Sequence, residues 1–152
     1  VRSEIQNKIC LALAAAAIAA ADQLSKAYIR SHVLNNWPWP GIFEFTEHRN
    51  HGLIANLPVP LYMIVFVMLA VMALIIHSIF FSKNKPTPDE DWSLVLVLGG
   101  AAGNLIDRLR LGYVQDWGMF FGTSIINLAD VSIAIGLAWY ASTLWKRKAI
   151  KN

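Results

Sequence analysis

Four long apolar stretches divide the chain, each bounded by polar or charged positions. The first runs from Ile9 to about Ile29, opening on an Ala-rich segment and then admitting Asp22, Gln23, Ser25 and Lys26. The second, Pro58 to Phe81, is apolar except for His77 and Ser78. The third, Trp92 to about Leu111, is apolar in its first half and carries Asn104, Asp107 and Arg108 in its second. The fourth, Ile125 to Trp145, ends in the basic run Lys146-Arg147-Lys148. Each reaches the roughly 20 residues that a helix needs to cross a bilayer. The pattern predicts an all-α integral membrane protein, a four-transmembrane-helix bundle with spans at about 9–29, 58–81, 92–111 and 125–145. The first stretch also has the layout of a secretory signal peptide, with Arg2 and Lys8 ahead of an apolar core that ends in alanines. Tyr28 and Ile29 continue its helical pattern and three spans follow, which favours a membrane helix.

Between the first two spans the chain turns polar. Trp37-Pro38-Trp39-Pro40-Gly41 suits a membrane-interface belt, and the alternation Ile42-Phe43-Glu44-Phe45-Thr46-Glu47 predicts a short strand. Ser82 to Asp91 and Gly112 to Ser124 read as connecting loops, the latter carrying Asp116. His48 and His51 flank Asn50 in a further loop. Placing both termini in the cytoplasm puts Arg2, Lys8, Lys83, Lys85, Lys146, Arg147, Lys148 and Lys151 inside, against Arg30, Arg49, Arg108 and Arg110 outside. That orientation, N-in and C-in, gathers Asp22, Asn50, Asp116 and Asp130 at the outer face.

Composition agrees. Of 152 residues, 56% are hydrophobic and 15% charged, so this is a membrane chain with room for one domain, 1–152, and none for a separate soluble unit. The net charge of +3 comes from residues at the span ends, as topology requires, so nucleic acid is not an expected partner. The lone Cys10 excludes an internal disulfide and a Cys-based metal site, and reads as a small buried or lipid-facing hydrophobe. His32, His48, His51 and His77 have no spacing that gathers ligands, so no metal is expected. The start at Val1 is that of a chain trimmed of an initiator or tag.

Ionisable groups in spans cost roughly 2.5–3.5 kcal/mol each by insertion scales, so they persist where they pair or act. Asp22 and Lys26, four apart, form a favourable helical pair that serves either to end the span in the headgroups or to support a ligand. Gly99 and Gly103 make a small-xxx-small face for close helix contact, whereas Gly100, Asn104 and Arg108 recur every four residues on a face suited to a ligand's carbonyl or phosphate oxygens. Helix packing with Arg108 snorkelling explains the glycines but leaves Asn104 without a reason. Asp116 and Asp130 sit at adjacent ends of antiparallel spans. Singly they read as a loop acid and a first-turn acid. Together they form a pair that holds one proton, the state peptide hydrolysis needs. Asn127, one turn before Asp130, caps the fourth span or orients a carboxylate.

In chain order, Asp22-Gln23-Leu24-Ser25-Lys26, Arg49-Asn50-His51-Gly52, the run Gly99 to Arg108, Gly112-Tyr113-Val114-Gln115-Asp116-Trp117 and Asn127-Leu128-Ala129-Asp130 resemble the bacterial lipoprotein signal peptidases, the signal peptidase II family. The resemblance implies a cofactor-free aspartic endopeptidase of the bacterial cytoplasmic (inner) membrane. It would act as a monomer among membrane lipids, cleaving diacylglyceryl-modified prolipoproteins before the lipidated cysteine. It implies Asp116 and Asp130 as the catalytic dyad, Asp22, Lys26, Asn50, Gly100, Asn104, Arg108, Asn127 and Ala129 as lining or support, and a small extracytoplasmic β element in the Ile42 to Leu57 region. Three features depart from the family pattern: the run Leu53 to Asn56 after Asn50-His51-Gly52, the short step from Asp116 to Asp130, and Gln115 where an apolar residue is usual. A carrier that relays protons through intramembrane acids and a structural membrane subunit are the other readings. A structural subunit leaves the convergence of polar residues unexplained.

Overall fold

The computed structural model describes residues 2–32, 42–52, 59–82 and 86–151, with side chains described except at 2, 150 and 151. Four helices and a three-stranded sheet follow one another as α1 (Arg2–Ser31), β1 (Phe43–Asn50), α2 (Leu61–Phe81), α3 (Pro88–Leu111), β2 (Val114–Phe120), β3 (Ser124–Ile126) and α4 (Leu128–Lys151). Three of the helices are long and apolar enough to cross a membrane, over Ser3–Ser31, Leu61–Phe81 and Leu128–Ala149. Phe66, Leu74 and Tyr62 of α2 are exposed, as side chains facing lipid would be.

The more polar α3 is the central helix, packed against α1, α2 and α4. It begins earlier than the apolar pattern predicts because Thr87 and Glu90 form a capping box: Glu90 N donates to Thr87 Oγ1, and Thr87 N donates to Glu90 Oε2 at 2.8 Å. It ends at Gly112, whose φ of 80° lets its N–H turn back to Arg108 O. Away from the sheet, Leu11 and Ala15 of α1, Ile75 and Ile79 of α2, and Leu94, Val95 and Val97 of α3 form one apolar core. Towards the sheet the helices approach through glycine. A methyl group at Gly103 would stand 2.6 Å from Asp22 Oδ2 on α1, and one at Gly100 would stand 2.5 Å from the Ala129 carbonyl oxygen on α4. Gly99 likewise lies against Ile18 and Ala15 of α1. The two glycine faces anticipated on α3 therefore serve two neighbours, Gly99 and Gly103 facing α1 and Gly100 facing α4.

The sheet corrects three expectations. Gly112 to Ser124 is mostly strand, not loop: β2 pairs antiparallel with β1, His48 opposite Asp116 and Asn50 opposite Val114, and turns back into β3. Asp116 thus sits on a strand held on both sides, and His48 sits in β1 rather than in a loop. The last helix starts at Leu128 and not at Ile125, because Ile125 and Ile126 pair with Met119 and Gly118 and Asn127 caps the helix behind them. Trp37 and Trp39, Lys83 and Lys85, and the run Leu53 to Pro58 lie outside the described residues.

Candidate active site

At the sheet end of the bundle, polar side chains from α1, β1, α3, β2 and α4 meet in a buried cluster. Asp22, Lys26, Asn104, Asp107, Arg108, Asp116 and Asn127 are all buried, and Asp130 is half-buried. Burial on this scale demands partners for every group.

Asn127 joins the two acids. Its Oδ1 accepts from Asp130 N at 2.9 Å, and Asp130 Oδ2 accepts from Asn127 N at 3.3 Å, a reciprocal cap on the first turn of α4. Its Nδ2 donates to Asp116 Oδ1 at 2.6 Å and to Asn104 Oδ1 at 3.1 Å. Asn104 Nδ2 in turn donates to Asp130 Oδ1 at 2.8 Å. Two amides thus link one carboxylate to the other. Asn50, at the end of β1, donates to Asp116 Oδ2 at 3.3 Å while its own Oδ1 accepts from Gly52 N. Burial first, and the negative charge of Asp130 second, push the Asp116 carboxyl up to about 6; the amide donors oppose the shift without cancelling it.

A second acid pair lies behind the first and shares one lysine. Lys26 Nζ contacts Asp22 Oδ2 at 2.6 Å and Asp107 Oδ2 at 2.8 Å, and donates to Asn104 Oδ1 at 3.3 Å. Each of these acids also holds a backbone amide. Asp22 Oδ1 accepts from Ala129 N at 3.0 Å, and Asp107 Oδ2 accepts from Gln115 N at 3.0 Å. Ala129 and Gln115 are the residues immediately before Asp130 and Asp116, so one lysine-centred cluster ties down both. Gln23 completes it by donating to Asp107 Oδ1 at 2.8 Å. Motif spacing assigns Asp107 and Gln23 no role. The clue to Asp107 is its position four residues after Gly103, on the face of α3 that meets Lys26.

Arg108 donates to the carbonyl oxygens of Gly52, at 3.0 Å, and Asn104. It lies within electrostatic reach of Asp116 and Asp130 without pairing with either among the described residues. Asn104, Arg108 and Asp130 form the polar end of a cavity of about 360 Å³ between α2, α3 and α4, whose remaining walls, including Val67, Val71, Ile133 and Leu137, are apolar. All ten residues singled out from the sequence as dyad or support fall in or against this cluster. Gly100 and Ala129 contribute the close α3–α4 contact and the amide held by Asp22.

These features define a multi-pass membrane protein with a buried polar cluster at the sheet end of an apolar bundle. The fold is that of a solved bacterial membrane enzyme, with a TM-score of 0.82 at 24% identity over 94% of this chain and 92% of that one. Residues 14–146 match the family model described as signal peptidase (SPase) II. The chain is similar to lipoprotein signal peptidases of Streptococcus agalactiae, at 32% identity over 96% of this chain and 98% of the relative, and of Moorella thermoacetica, at 37% over 82% and 85%. A lipoprotein signal peptidase of Halothermothrix orenii is 34% identical over 72% of this chain and 74% of its own. The chain belongs to the signal peptidase II family, and is therefore a peptidase.

Proposed function

We propose that the protein is an aspartic endopeptidase that removes signal peptides from diacylglyceryl-modified prolipoproteins, cutting the peptide bond before the lipidated cysteine. The observation that carries this reading is the Asp116–Asn127–Asn104–Asp130 relay at the polar end of an apolar groove. No lysine or arginine among the described residues pairs directly with either acid, so the two carboxyls share a proton. The arrangement suits general acid–base hydrolysis.

With a signal peptide in the groove, one carboxyl of the pair is ionised and the other protonated. Asp130, half-exposed towards the groove, takes a proton from water as its oxygen attacks the scissile carbonyl carbon. Asp116, buried and poised to hold a proton, donates it to the carbonyl oxygen. The tetrahedral diol then collapses: the carbonyl reforms as its hydroxyl proton returns to Asp116, the C–N bond breaks, and the proton on Asp130 passes to the leaving amine of the cysteine. The pair ends as it began, with one proton, and needs no metal or organic cofactor. Asn127 and Asn104 hold the carboxyls in register, Asn50 steadies Asp116, Arg108 shapes the wall where the substrate backbone lies, and Gly100 seats α4 against α3. Asp22, Lys26 and Ala129 support them from behind.

In this reading α3 is the fourth span despite its charges, because its polar half is buried among the other helices. One domain and one copy of the chain suffice for the site. The chain sits N-in and C-in in the bacterial cytoplasmic membrane with the sheet outside, and the lipidated peptide enters sideways between α2 and α4. The test is incubation of purified protein with a diacylglyceryl-modified prolipoprotein and mass analysis of the products. A new amino terminus at the lipidated cysteine supports the reading. Cleavage elsewhere, or none on several lipidated substrates, contradicts it.

A further inference from the structure

A second polar cavity, about 90 Å³, opens at the sheet end between α1 and α3. It is separate from the groove, which α2, α3 and α4 enclose on another side of α3. Lys26, Arg30 and Arg110 line it, with Asp107 the acidic residue and Gln23 a neutral one. The charge balance is not even. Lys26 is shared between Asp107 and Asp22, so that cluster keeps one negative charge, and Asp107 also accepts from Gln23 and the Gln115 amide. Arg30 and Arg110 make no ion pair among the described residues, so their two positive charges outweigh it and the rim is net positive.

The two arginines differ in how they are held. Arg30 donates through Nε, at 3.1 Å, and through Nη2 to Oε1 of Gln115, a buried side chain on β2. That acceptor is neutral, so it orients the guanidinium without cancelling its charge and leaves other N–H groups free. Arg110, exposed on the last turn of α3, has no partner among the described residues. A pre-oriented guanidinium facing a second one across a water-sized cavity matches the geometry by which arginines take phosphate oxygens. The cavity lies between the sheet ends of α1 and α3, and a basic pocket between helices is the kind of site that holds an anionic headgroup.

We propose that the cleft between the ends of α1 and α3 binds the phosphate of an anionic glycerophospholipid through Arg30 and Arg110. The site is independent of the peptidase reaction: it shares no residue with the groove, and its occupancy is read by binding alone. Because Gln115 stands next to Asp116, the lipid is tied through Arg30 to the strand that carries this one member of the proposed dyad.

Native mass spectrometry of the detergent-solubilised full chain, titrated with dioleoylphosphatidylglycerol, with dioleoylphosphatidylcholine, or with inorganic phosphate, tests this. The expected result is retention of phosphatidylglycerol in preference to phosphatidylcholine. Arg110→Gln should weaken that retention about ten-fold, the scale of one charge-assisted hydrogen bond, and Arg30→Gln combined with it should remove the preference. Arg110→Lys should keep most of it. Arg147→Gln, which removes an equal charge at the other end of the bundle, should leave it unchanged. Arg110→Gln removes no contact of the fold, so its effect stands even if the double variant fails to fold. Equal retention of the two lipids by the wild type, unchanged retention in Arg110→Gln, or the same loss in Arg147→Gln would overturn the proposal. Full competition by millimolar inorganic phosphate would overturn the lipid as its source.

Discussion

Two acid pairs lie side by side in this bundle and are treated in opposite ways. Asp22 and Asp107 share the ammonium of Lys26 at 2.6 and 2.8 Å, and each also accepts a backbone amide, Asp22 through its other oxygen and Asp107 through the same one. Among the described residues, Asp116 and Asp130 accept from the neutral amides of Asn127, Asn104 and Asn50 and pair with no lysine or arginine. The first pair shares one lysine and acts as a brace. The second is oriented without a cation among the described residues, and one of its members is driven towards the protonated form. Four acids thus lie near one point, two gathered around a lysine and two held by neutral donors. The brace grips the residue before each member of the second pair and so holds both in place.

The comparison is broken most severely at Lys26. Lys26→Met leaves two buried carboxylates facing each other, and removal of one partner from a buried ion pair costs about 3–5 kcal/mol. Denaturant unfolding in detergent should show a loss on that scale. A loss below 1 kcal/mol would mean that the brace is not electrostatic.

The next effect belongs to the uncompensated pair. Asp116 is raised from 3.8 to about 6 in the folded chain, so between those values the folded state binds more protons than the unfolded state. Stability therefore falls as pH rises through this window, by on the order of 2–3 kcal/mol for one group, and is level in this respect on either side. Unfolding midpoints at pH 4 and pH 7 should show that slope in the wild type, and Asp116→Asn should remove it.

Smaller effects separate the two regions by packing. Gly100→Ala sets a methyl group 2.5 Å from the Ala129 carbonyl and 2.8 Å from Ile133, forcing α4 away from α3 beside Asp130. It should cost about 1–3 kcal/mol and slow cleavage. At the far end, Arg147→Gln breaks a pair with Glu90 at 3.2 Å whose arginine is 55% exposed. Because Glu90 is buried but Arg147 is largely solvated, the substitution should cost about 1 kcal/mol, with cleavage unchanged.

Much of this was legible in the residues. The apolar runs marked the four helices, since a predominantly apolar stretch of about 20 residues has few other uses. Asp116 and Asp130 were brought to one end by antiparallel connectivity alone, and Asn127 was anticipated both as a cap and as an orienter, roles it fills together. The sheet was half-visible. Phe43 to Glu47 alternates, but Gln115-Asp116-Trp117-Gly118 does not, and its pairing with β1 is decided by contacts more than 60 positions away in the chain. The early start of α3 was written in Thr87-Pro88-Asp89-Glu90, whose capping signal the hydropathy pattern overlooks. Asp107 stayed hidden because a single acid next to Arg108 in a helix looks like a local pair. Only the glycine face that seats α1 reveals that its partner is Lys26.

The central claim is that Asp116 and Asp130 do chemistry while Asp22 and Asp107 hold structure. One paired measurement tests it most directly: single-turnover cleavage of a diacylglyceryl-modified prolipoprotein, together with the melting temperature at pH 7, for Asp116→Asn and Asp130→Asn. The account predicts variants that remain folded, with Asp116→Asn no less stable than the wild type, and that cleave at least about a thousand-fold more slowly, the scale of lost general acid–base catalysis. Cleavage within about ten-fold of wild type by either folded variant, well short of that scale, would contradict it.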